Sequence, residues 1–229
     1  MADSLRVLST LAVRGAVQSL AGACEAACGL RMDADFAPTL ALLDRLRGGE
    51  SADVLILTRE ALAGLAASGD VVAGTCIDLA RSYVGLAVKA GAPHPEIETE
   101  QALRRSLLAA RSIAYSGLGA SGIFFAQLIA QMGIASEINA RATIIPQGFT
   151  AERLVSGEAD LAVQQISELK QVGGIEIVGE IPLHLQKPAV FSAGRLTAST
   201  KARQSDFFLQ FLASAAAPAM RDWGLEPIG

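Results

Sequence analysis

The chain has 229 residues, of which 51% are hydrophobic and 18% are charged, and its formal net charge at pH 7 is −4. The high apolar content excludes a disordered protein, and the lack of a basic surplus argues against a nucleic-acid partner. No apolar run reaches the length of a membrane-spanning helix, so we expect no membrane insertion.

The sequence indicates neither a cofactor nor a metal site. The three cysteines, Cys24, Cys28 and Cys76, are interpreted as small buried residues. The two histidines, His94 and His184, fall in proline-containing segments away from any cysteine cluster. Since metal sites need several ligating side chains close together, none is predicted.

Strand and helix signals alternate in the first part of the chain. Apolar residues at helical spacing, Pro at a helix start and Gly after a helix end carry the assignments. This order is typical of a parallel sheet. The predicted strands are Arg6–Ser9, Arg31–Phe36 and Val54–Leu57, and the predicted helices are Ala12–Cys28, a helix opened by Pro38, and Arg59–Ser68.

A second series of the same kind follows the turn Gly91–Pro95, which is the predicted boundary between lobes. Before that turn, Ser82–Val88 is predicted as a strand that crosses from one lobe to the other. The series comprises helices over Glu100–Ala110, Ser121–Met132 and Thr150–Ser156, and strands over Ser112–Tyr115, Thr143–Ile145 and Leu161–Gln164.

The last segments are predicted to return to the first lobe. Pro188–Leu196 is β-prone, and Lys201–Trp223 is expected to form two helices packed through Phe207, Phe208, Phe211, Leu212 and Trp223. The predicted fold class is therefore α/β with two lobes, residues 1–81 plus 188–229 and residues 82–187. Each lobe is expected to be a mixed, mostly parallel sheet flanked by helices, with the two crossing strands as a hinge.

A near-repeat indicates that the two halves are similar. Residues 45–58 and 153–165 each contain a helix end with Gly, an acidic turn, an apolar run and a final polar residue. This pattern predicts a helix, a turn and a buried strand. In open α/β sheets ligands bind beyond the carboxyl ends of the strands, so the pattern predicts a ligand in a cleft between the lobes.

Hydroxyl groups stand between a strand and a helix at three places. Unpaired N–H groups at a helix start form a ready anion site, and glycines let the backbone approach a ligand closely. Each place taken alone is also an ordinary helix cap, but together they predict a small anionic ligand. The three places are Ser9-Thr10, Thr58, and the loop Ser116–Gly122, which includes Gly117, Gly119 and Ser121.

The glycine loop does not match the nucleotide-binding motifs. No Gly-Lys-Ser/Thr follows it, as a P-loop requires. Gly117, Gly119 and Gly122 have the spacing of the dinucleotide fingerprint. That fingerprint belongs to the first strand–helix unit and needs an acidic residue at a strand end, whereas no strand is predicted to end at Glu137.

Four further side chains are candidate ligand contacts. Arg14 lies one helical turn beyond Thr10, and Arg81 precedes the predicted crossing strand. For both arginines, ligand contact and simple surface exposure stay open. Gln164 and Gln165 end a strand after an apolar run, where amide groups can donate to an oxyanion or a carboxylate.

Five segments follow one another with an order and spacing that cover nearly the whole chain. They are Leu8–Ala12, Gly49–Val54, Tyr115–Gly122, Gly157–Leu161 and Trp223–Pro227. These segments resemble the molybdate-binding-protein family of type II periplasmic solute receptors. The resemblance implies two α/β lobes joined by two crossing strands, with an oxyanion in the cleft. It implies binding groups from Ser9-Thr10, Thr58, the Ser116–Gly122 loop and Gln164-Gln165.

The departures from the family pattern concern the ligand. Molybdate receptors usually offer a Tyr and small hydroxyl residues, whereas here a Gln pair follows the strand after Asp160, and Arg59-Glu60 follows Thr58. The runs Ser9–Arg14 and Gln164–Leu169 are closer to a branch whose ligands are organic acids, which includes an aconitate isomerase on the same receptor fold. The implied ligand is either a molybdate-like oxyanion or a small di- or tricarboxylate.

Two function classes therefore stay open. The first is a monomeric solute-binding protein, which would be periplasmic and serve an ABC transporter permease if a signal peptide was removed, and cytoplasmic otherwise. No secretory signal is visible, because Leu5–Val17 carries two arginines and no continuous apolar core. A transcriptional effector-binding domain shares the fold, but no helix-turn-helix precedes it.

The second class is an isomerase that moves a proton and a double bond in an unsaturated tricarboxylate. This chemistry needs a base within hydrogen-bond reach of an acidic C–H group. No histidine lies at a predicted cleft position, so the candidate bases are Tyr115, Glu60 and Lys170.

Overall fold

The computed structural model describes residues 4–29 and 31–228. The strands are β1 Ser4–Ser9, β2 Arg31–Phe36, β3 Val54–Thr58, β4 Ile77–Ser82, β5 Val84–Lys89, β6 Ile113–Ser116, β7 Thr143–Ile145, β8 Leu161–Gln165, β9 Ile175–Glu180, β10 Ala189–Arg195 and β11 Glu226–Pro227. The α-helices are α1 Arg14–Ser19, α2 Ala21–Cys28, α3 Thr39–Arg47, α4 Arg59–Ser68, α5 Glu100–Ala109, α6 Ala120–Gln131, α7 Ala135–Asn139, α8 Glu152–Val155, α9 Ile166–Leu169, α10 Ala202–Ala215 and α11 Ala217–Asp222.

The chain divides into two compact units. The first unit is Met1–Ser82 with Ala189–Gly229, and the second is Tyr83–Pro188. The chain thus passes from one unit to the other after β4 and returns just before β10. The functional division into ligand-binding lobes, with a hinge between them, stays a prediction.

The first unit is built on a six-stranded sheet in the order β11-β4-β10-β3-β1-β2. Strands β2, β1 and β3 are parallel, whereas β10, β4 and β11 run antiparallel to their neighbours. Alternate residues of β3 enter two cores: Val54 and Ile56 pack with α10 and α11, and Leu55 and Leu57 pack with α3 and α4. The sheet is therefore mixed and covered by helices on both faces.

The second unit repeats this plan with five strands in the order β7-β6-β8-β5-β9. Strands β7, β6 and β8 are parallel, and β5 and β9 are antiparallel to their neighbours. One face packs on α5 and α6 through residues such as Tyr115 and Val163, and the other packs on α8 and α9 through Ala114 and Ala162. In both units the parallel pairings are confined to three strands.

The near-repeat forms the same structure in both units. Each copy ends a helix with a glycine at positive φ, Gly49 at 91° and Gly157 at 79°. In each, an arginine in the helix pairs with a glutamate five residues later: Arg45 with Glu50 at 2.6 Å, and Arg153 with Glu158 at 3.1 Å. The predicted helix, turn and buried strand are confirmed in both copies.

Three details of the predicted elements are wrong. The helix expected over Ala12–Cys28 is a 3-10 turn followed by α1 and α2, and Ser19 Oγ donates to the Ala16 carbonyl at 2.8 Å where the helix breaks. The strand expected over Ser82–Val88 is β5, Val84–Lys89, whereas Ser82 ends β4, which was not predicted. The exposed edge strand β9 was not predicted.

Two assignments of buried residues also need correction. Phe207 was expected in the helical core, but it is 46% exposed, since its place on α10 faces away from the buried Phe208 and Leu212. Cys24 is buried as predicted, whereas Cys76 is exposed. The prediction for the Cys28 side chain lies outside the described residues.

Gly122 allows α6 to pack directly on the end of β6. A Cβ atom added at Gly122 would lie 1.6 Å from the Ser116 carbonyl oxygen and 2.6 Å from its carbonyl carbon. Both are backbone atoms, so no side-chain rotation could relieve the overlap. The first turn of α6, which carries Ser121, is therefore fixed against Ser116.

We expect Gly122→Ala to destabilise the protein by about 1–3 kcal/mol, the usual cost of overpacking a closely packed site. Urea unfolding measures the effect. The matched control is Gly64→Ala on the exposed face of α4, where an added Cβ meets no atom within 4 Å. Since Ala is the better helix former, the control should be more stable than wild type by up to about 1 kcal/mol. Wild-type stability of Gly122→Ala would contradict this account of the packing.

Candidate functional site

The Ser9-Thr10 junction lies at the end of β1 in the first unit. Both residues are buried, at 0% and 5% exposure. Thr10 N donates to the Ile56 carbonyl at 2.8 Å, and Thr10 Oγ1 accepts from Ala12 N at 3.3 Å. Ser9 Oγ donates to the Thr10 carbonyl at 3.2 Å. The hydroxyls therefore hold the strand end and start the following turn, and each keeps acceptor or donor capacity for a ligand.

Thr58 ends β3 and is the N-cap residue of α4, but its side chain makes no capping hydrogen bond. The next residue, Arg59, donates from Nε to Asp78 Oδ1 at 3.0 Å, and Asp78 also accepts from Ser192 Oγ at 2.6 Å. The first turn of α4 is thus held by an ion pair to β4, while the Thr58 hydroxyl is left out of the helix cap.

The two candidate arginines of the first unit differ in their surroundings. Arg14 opens α1, its guanidinium lies 5.8 Å from the centre of the Phe36 ring, and its Nε donates to Gln18 at 3.3 Å. Arg81 pairs with Glu226 at 3.2 Å, and both side chains are largely exposed. The charge of Arg81 is therefore paired within its own unit.

The Ser116–Gly122 loop of the second unit turns tightly between β6 and α6. Ser116 Oγ accepts from Gly119 N at 2.9 Å, and Gly117 N donates to the Ile145 carbonyl at 2.8 Å. Gly119 is the N-cap of α6, a helix of twelve residues. The N-terminal end of such a helix carries a partial positive charge and N–H groups without helical partners.

Ser121 occupies the first turn of α6 and is 1% exposed. Its Oγ is fully buried and has no hydrogen-bond partner among the described residues. A buried hydroxyl without a partner is costly, because it has lost its hydrogen bonds to water. The predicted site residues Ser116, Gly117, Ser121 and Gly122 are thus brought together around the start of α6.

The side chain of Gln164 in β8 forms hydrogen bonds that hold a neighbouring loop in place. Its Oε1 accepts from Thr150 N at 2.8 Å and from Thr150 Oγ1 at 3.0 Å, and its Nε2 donates to the Gly148 carbonyl at 3.0 Å. The side chain therefore fixes the segment between β7 and α8. One Nε2 hydrogen is left over, so any contribution to ligand binding stays a prediction.

Gln165, the last residue of β8, forms a capping box with Glu168. Glu168 Oε2 accepts from Gln165 N at 3.2 Å. The reciprocal contact, between Glu168 N and the Gln165 side chain, is weak: Gln165 Oε1 is fully buried and makes no hydrogen bond of ordinary geometry within the described part of the chain.

Glu168 is a buried carboxyl group that we did not predict as a site residue. Burial raises its pKa from 4.5 to about 8, and the hydrogen bond from Gln165 N opposes this only in part. At neutral pH the group is therefore mostly protonated. The Gln-x-x-Glu spacing of a capping box was the available signal in the sequence.

The candidate bases are placed differently. Tyr115 is buried, its hydroxyl donates to Asn139 Oδ1 at 2.7 Å, and burial raises its pKa. Glu60 and Lys170 are exposed on α4 and at the end of α9. Since a raised pKa and a committed hydroxyl make Tyr115 a poor base, the residues predicted from sequence offer no convincing catalytic group.

Residues 4–29 and 31–228 offer no metal-binding cluster and no membrane-spanning helix. They contain no group of three or more His, Cys, Asp or Glu side chains that could hold a metal ion. No helix within these ranges is both long enough and apolar enough to cross a membrane.

Comparison with known proteins gives consistent matches over the whole chain. Residues 5–226 match the family model described as bacterial extracellular solute-binding protein. An aconitate isomerase from Pseudomonas sp. is 37% identical over 232 residues, which cover 98% of this chain and 88% of the relative.

Solved structures of low sequence identity share the fold. The Azotobacter vinelandii periplasmic molybdate-binding protein superimposes with a TM-score of 0.81 at 18% identity, covering 96% of this chain and 98% of its own. The sulfate-binding protein SubI from Mycobacterium tuberculosis gives 0.80 at 17%, covering 99% and 87%. The predicted periplasmic-binding-protein-like α/β fold is confirmed, and the chain belongs to the bacterial extracellular solute-binding protein family.

Proposed function

We propose that this protein binds a small organic anion with two or three carboxylate groups. The observation that carries the proposal is the buried hydroxyl of Ser121, which has no partner among the described residues, at the start of α6. A bound carboxylate or oxyanion would satisfy this hydroxyl and the N–H groups beside it. The proposed ligand contacts are Ser9, Thr10, Arg14 and Thr58 of the first unit, and Ser116, Gly117, Ser121, Gly122, Gln164 and Gln165 of the second.

The choice of a carboxylate rather than molybdate or sulfate rests on sequence similarity. The aconitate isomerase is 37% identical to this chain, whereas the molybdate- and sulfate-binding proteins are 18% and 17% identical. Arg14 adds a cation next to the Ser9-Thr10 junction, and arginine is well suited to bidentate pairing with a carboxylate. We also propose a periplasmic monomer that serves an ABC transporter permease.

A second candidate function is isomerisation of aconitate, which the same relative favours. In this reaction a base removes a proton from the methylene carbon, the double bond shifts along the chain, and the proton returns at the other end of the allylic unit. The protein would then be an enzyme built on a receptor fold rather than a transport component.

Thermal shift and calorimetry with cis- and trans-aconitate, citrate, molybdate, tungstate and sulfate test the ligand class. A bound ligand stabilises the folded state in proportion to the logarithm of its concentration over Kd. We expect stabilisation by the carboxylates and none by the metal oxyanions; the reverse result would contradict the proposal. Proton NMR of cis-aconitate incubated with the protein then separates the candidates, since a receptor leaves it unchanged and an isomerase produces the trans isomer.

We expect Ser121→Ala to weaken carboxylate binding by about 1.5–3 kcal/mol, the range for a hydrogen bond to a charged group. Its stability without ligand should be equal to or higher than that of wild type, because no protein hydrogen bond is lost and a buried hydroxyl without a partner is removed. Calorimetry and urea unfolding provide the two readouts. In the matched control, Ser205→Ala, the lost hydroxyl is equally buried but donates to the Lys201 carbonyl at 2.9 Å. The control should lose stability and keep its affinity, and normal binding by Ser121→Ala would exclude this contact.

Arg14→Ala should also weaken trans-aconitate binding by about 1.5–3 kcal/mol, because a carboxylate would lose a charged hydrogen-bond donor. Calorimetric titration gives the affinities. Arg203→Ala, which removes an exposed arginine of α10, serves as the control and should bind as wild type does. Unchanged affinity in Arg14→Ala would show that this arginine belongs to the surface of the first unit alone.

A further inference from the structure

Glu168 is the most unusual titratable group of the second unit. Glu168 is 7% exposed, and its Oε2 accepts a hydrogen bond from Gln165 N at 3.2 Å. The partner, Gln165, is itself buried, and its side-chain oxygen lacks an ordinary hydrogen bond among the described residues. A buried carboxyl group and a buried side-chain oxygen without an ordinary hydrogen bond therefore lie next to each other at the end of β8.

No charged group near Glu168 accounts for its raised pKa. Helix α9 packs on β5, β8 and β9. Burial raises the pKa of Glu168, the hydrogen bond from Gln165 N lowers it by less, and no charged neighbour is among the causes. The titratable groups on these elements and beside α9 are Lys89, which donates to the Val155 carbonyl, Glu176, which pairs with His94, the exposed Glu180 and Lys170, and Tyr83, whose carbonyl accepts from Ile166 N.

We propose that Glu168 is a positioning residue for Gln165 and that retention of its carboxyl proton is linked to anion binding. This inference rests on the proposed function, because it assumes an anion next to Gln165. A neutral carboxyl can still accept the Gln165 N–H bond and places no negative charge beside the ligand. An ionised carboxyl at the same place would repel the anion in a poorly solvated environment.

The sign of the pH dependence follows from the raised pKa. Below about 4.5 the carboxyl is protonated in both folded and unfolded chains. Between about 4.5 and 8 the unfolded chain has released this proton and the folded chain keeps it, so this group makes stability fall as pH rises. Above about 8 the folded protein also loses the proton, and an anion can bind only with proton uptake or against the new charge.

The test is calorimetric titration of trans-aconitate from pH 6.5 to 9.5. The carboxyl groups of the probe are ionised over most of this range, so its own charge changes little. For wild type we expect Kd to be roughly constant below pH 8 and to rise at least tenfold by pH 9.5. Repeating the titration at pH 9 in buffers of different ionisation enthalpy should show uptake of about one proton per bound anion.

Glu168→Gln keeps the shape of the side chain and removes the proton equilibrium. It should bind at pH 7 within a few-fold of wild type and lose the rise of Kd above pH 8. Its unfolding free energy should also lose the fall between about pH 4.5 and 8, a readout that needs no ligand. The control, Glu180→Gln, removes an exposed carboxylate of β9 and should keep both wild-type pH profiles.

A wild-type pH profile of binding in Glu168→Gln overturns the inference and leaves the proposed function standing. The same holds if wild-type affinity is constant to pH 9.5. If trans-aconitate does not bind wild type at any pH, the proposed function fails, and the proton linkage fails with it.

Discussion

Each sheet depends on its own aspartate carboxylate, which accepts a hydrogen bond from the backbone N–H of a neighbouring strand segment. Asp53, just before β3, accepts from Arg6 N at 2.9 Å, and Asp160, just before β8, accepts from Arg111 N at 2.9 Å ahead of β6. Each bond joins a central parallel strand to its neighbour at the amino-terminal end. Because side chains alternate along a strand, a one-residue slip would exchange the buried and exposed faces, so these bonds help to set the register of each core.

The register then decides which residues reach the opposite edge of each sheet. Val7 is level with Val54, so β1 ends at Ser9 while Thr58 closes β3 nearby. Ile113 is level with Leu161, and the same register carried forward sets Ser116 level with Gln164. A strand end that is followed at once by a helix leaves N–H groups without helical partners, and hydroxyl and amide side chains collect there for that reason.

The sequence predicts those features that depend on short-range patterns. The near-repeat located two helix ends and two buried strands, since glycine at positive φ and four apolar residues are local signals. The hydroxyl positions followed from the same strand boundaries. Edge strand β9 was not predicted, and the hydrogen bonds of Gln164 depend on Thr150, fourteen residues away, which no local pattern indicates. Glu168 was missed because its burial is a tertiary property, although its capping box is visible in the sequence.

Two buried polar groups of the second unit oppose folding. Ser121 Oγ is buried and has no hydrogen-bond partner among the described residues, and the Glu168 carboxyl is buried with a hydrogen bond from Gln165 N. Each loses its contacts with water on folding, and that loss costs free energy. Where a stable fold keeps such groups, the missing hydrogen bonds are usually supplied by something that binds. The Ser121 hydroxyl can donate a hydrogen bond, and the protonated Glu168 carboxyl carries no negative charge. Both properties favour binding of a small anion. A neutral ligand would gain nothing from a protonated glutamate, whereas an anion would be repelled by an ionised one.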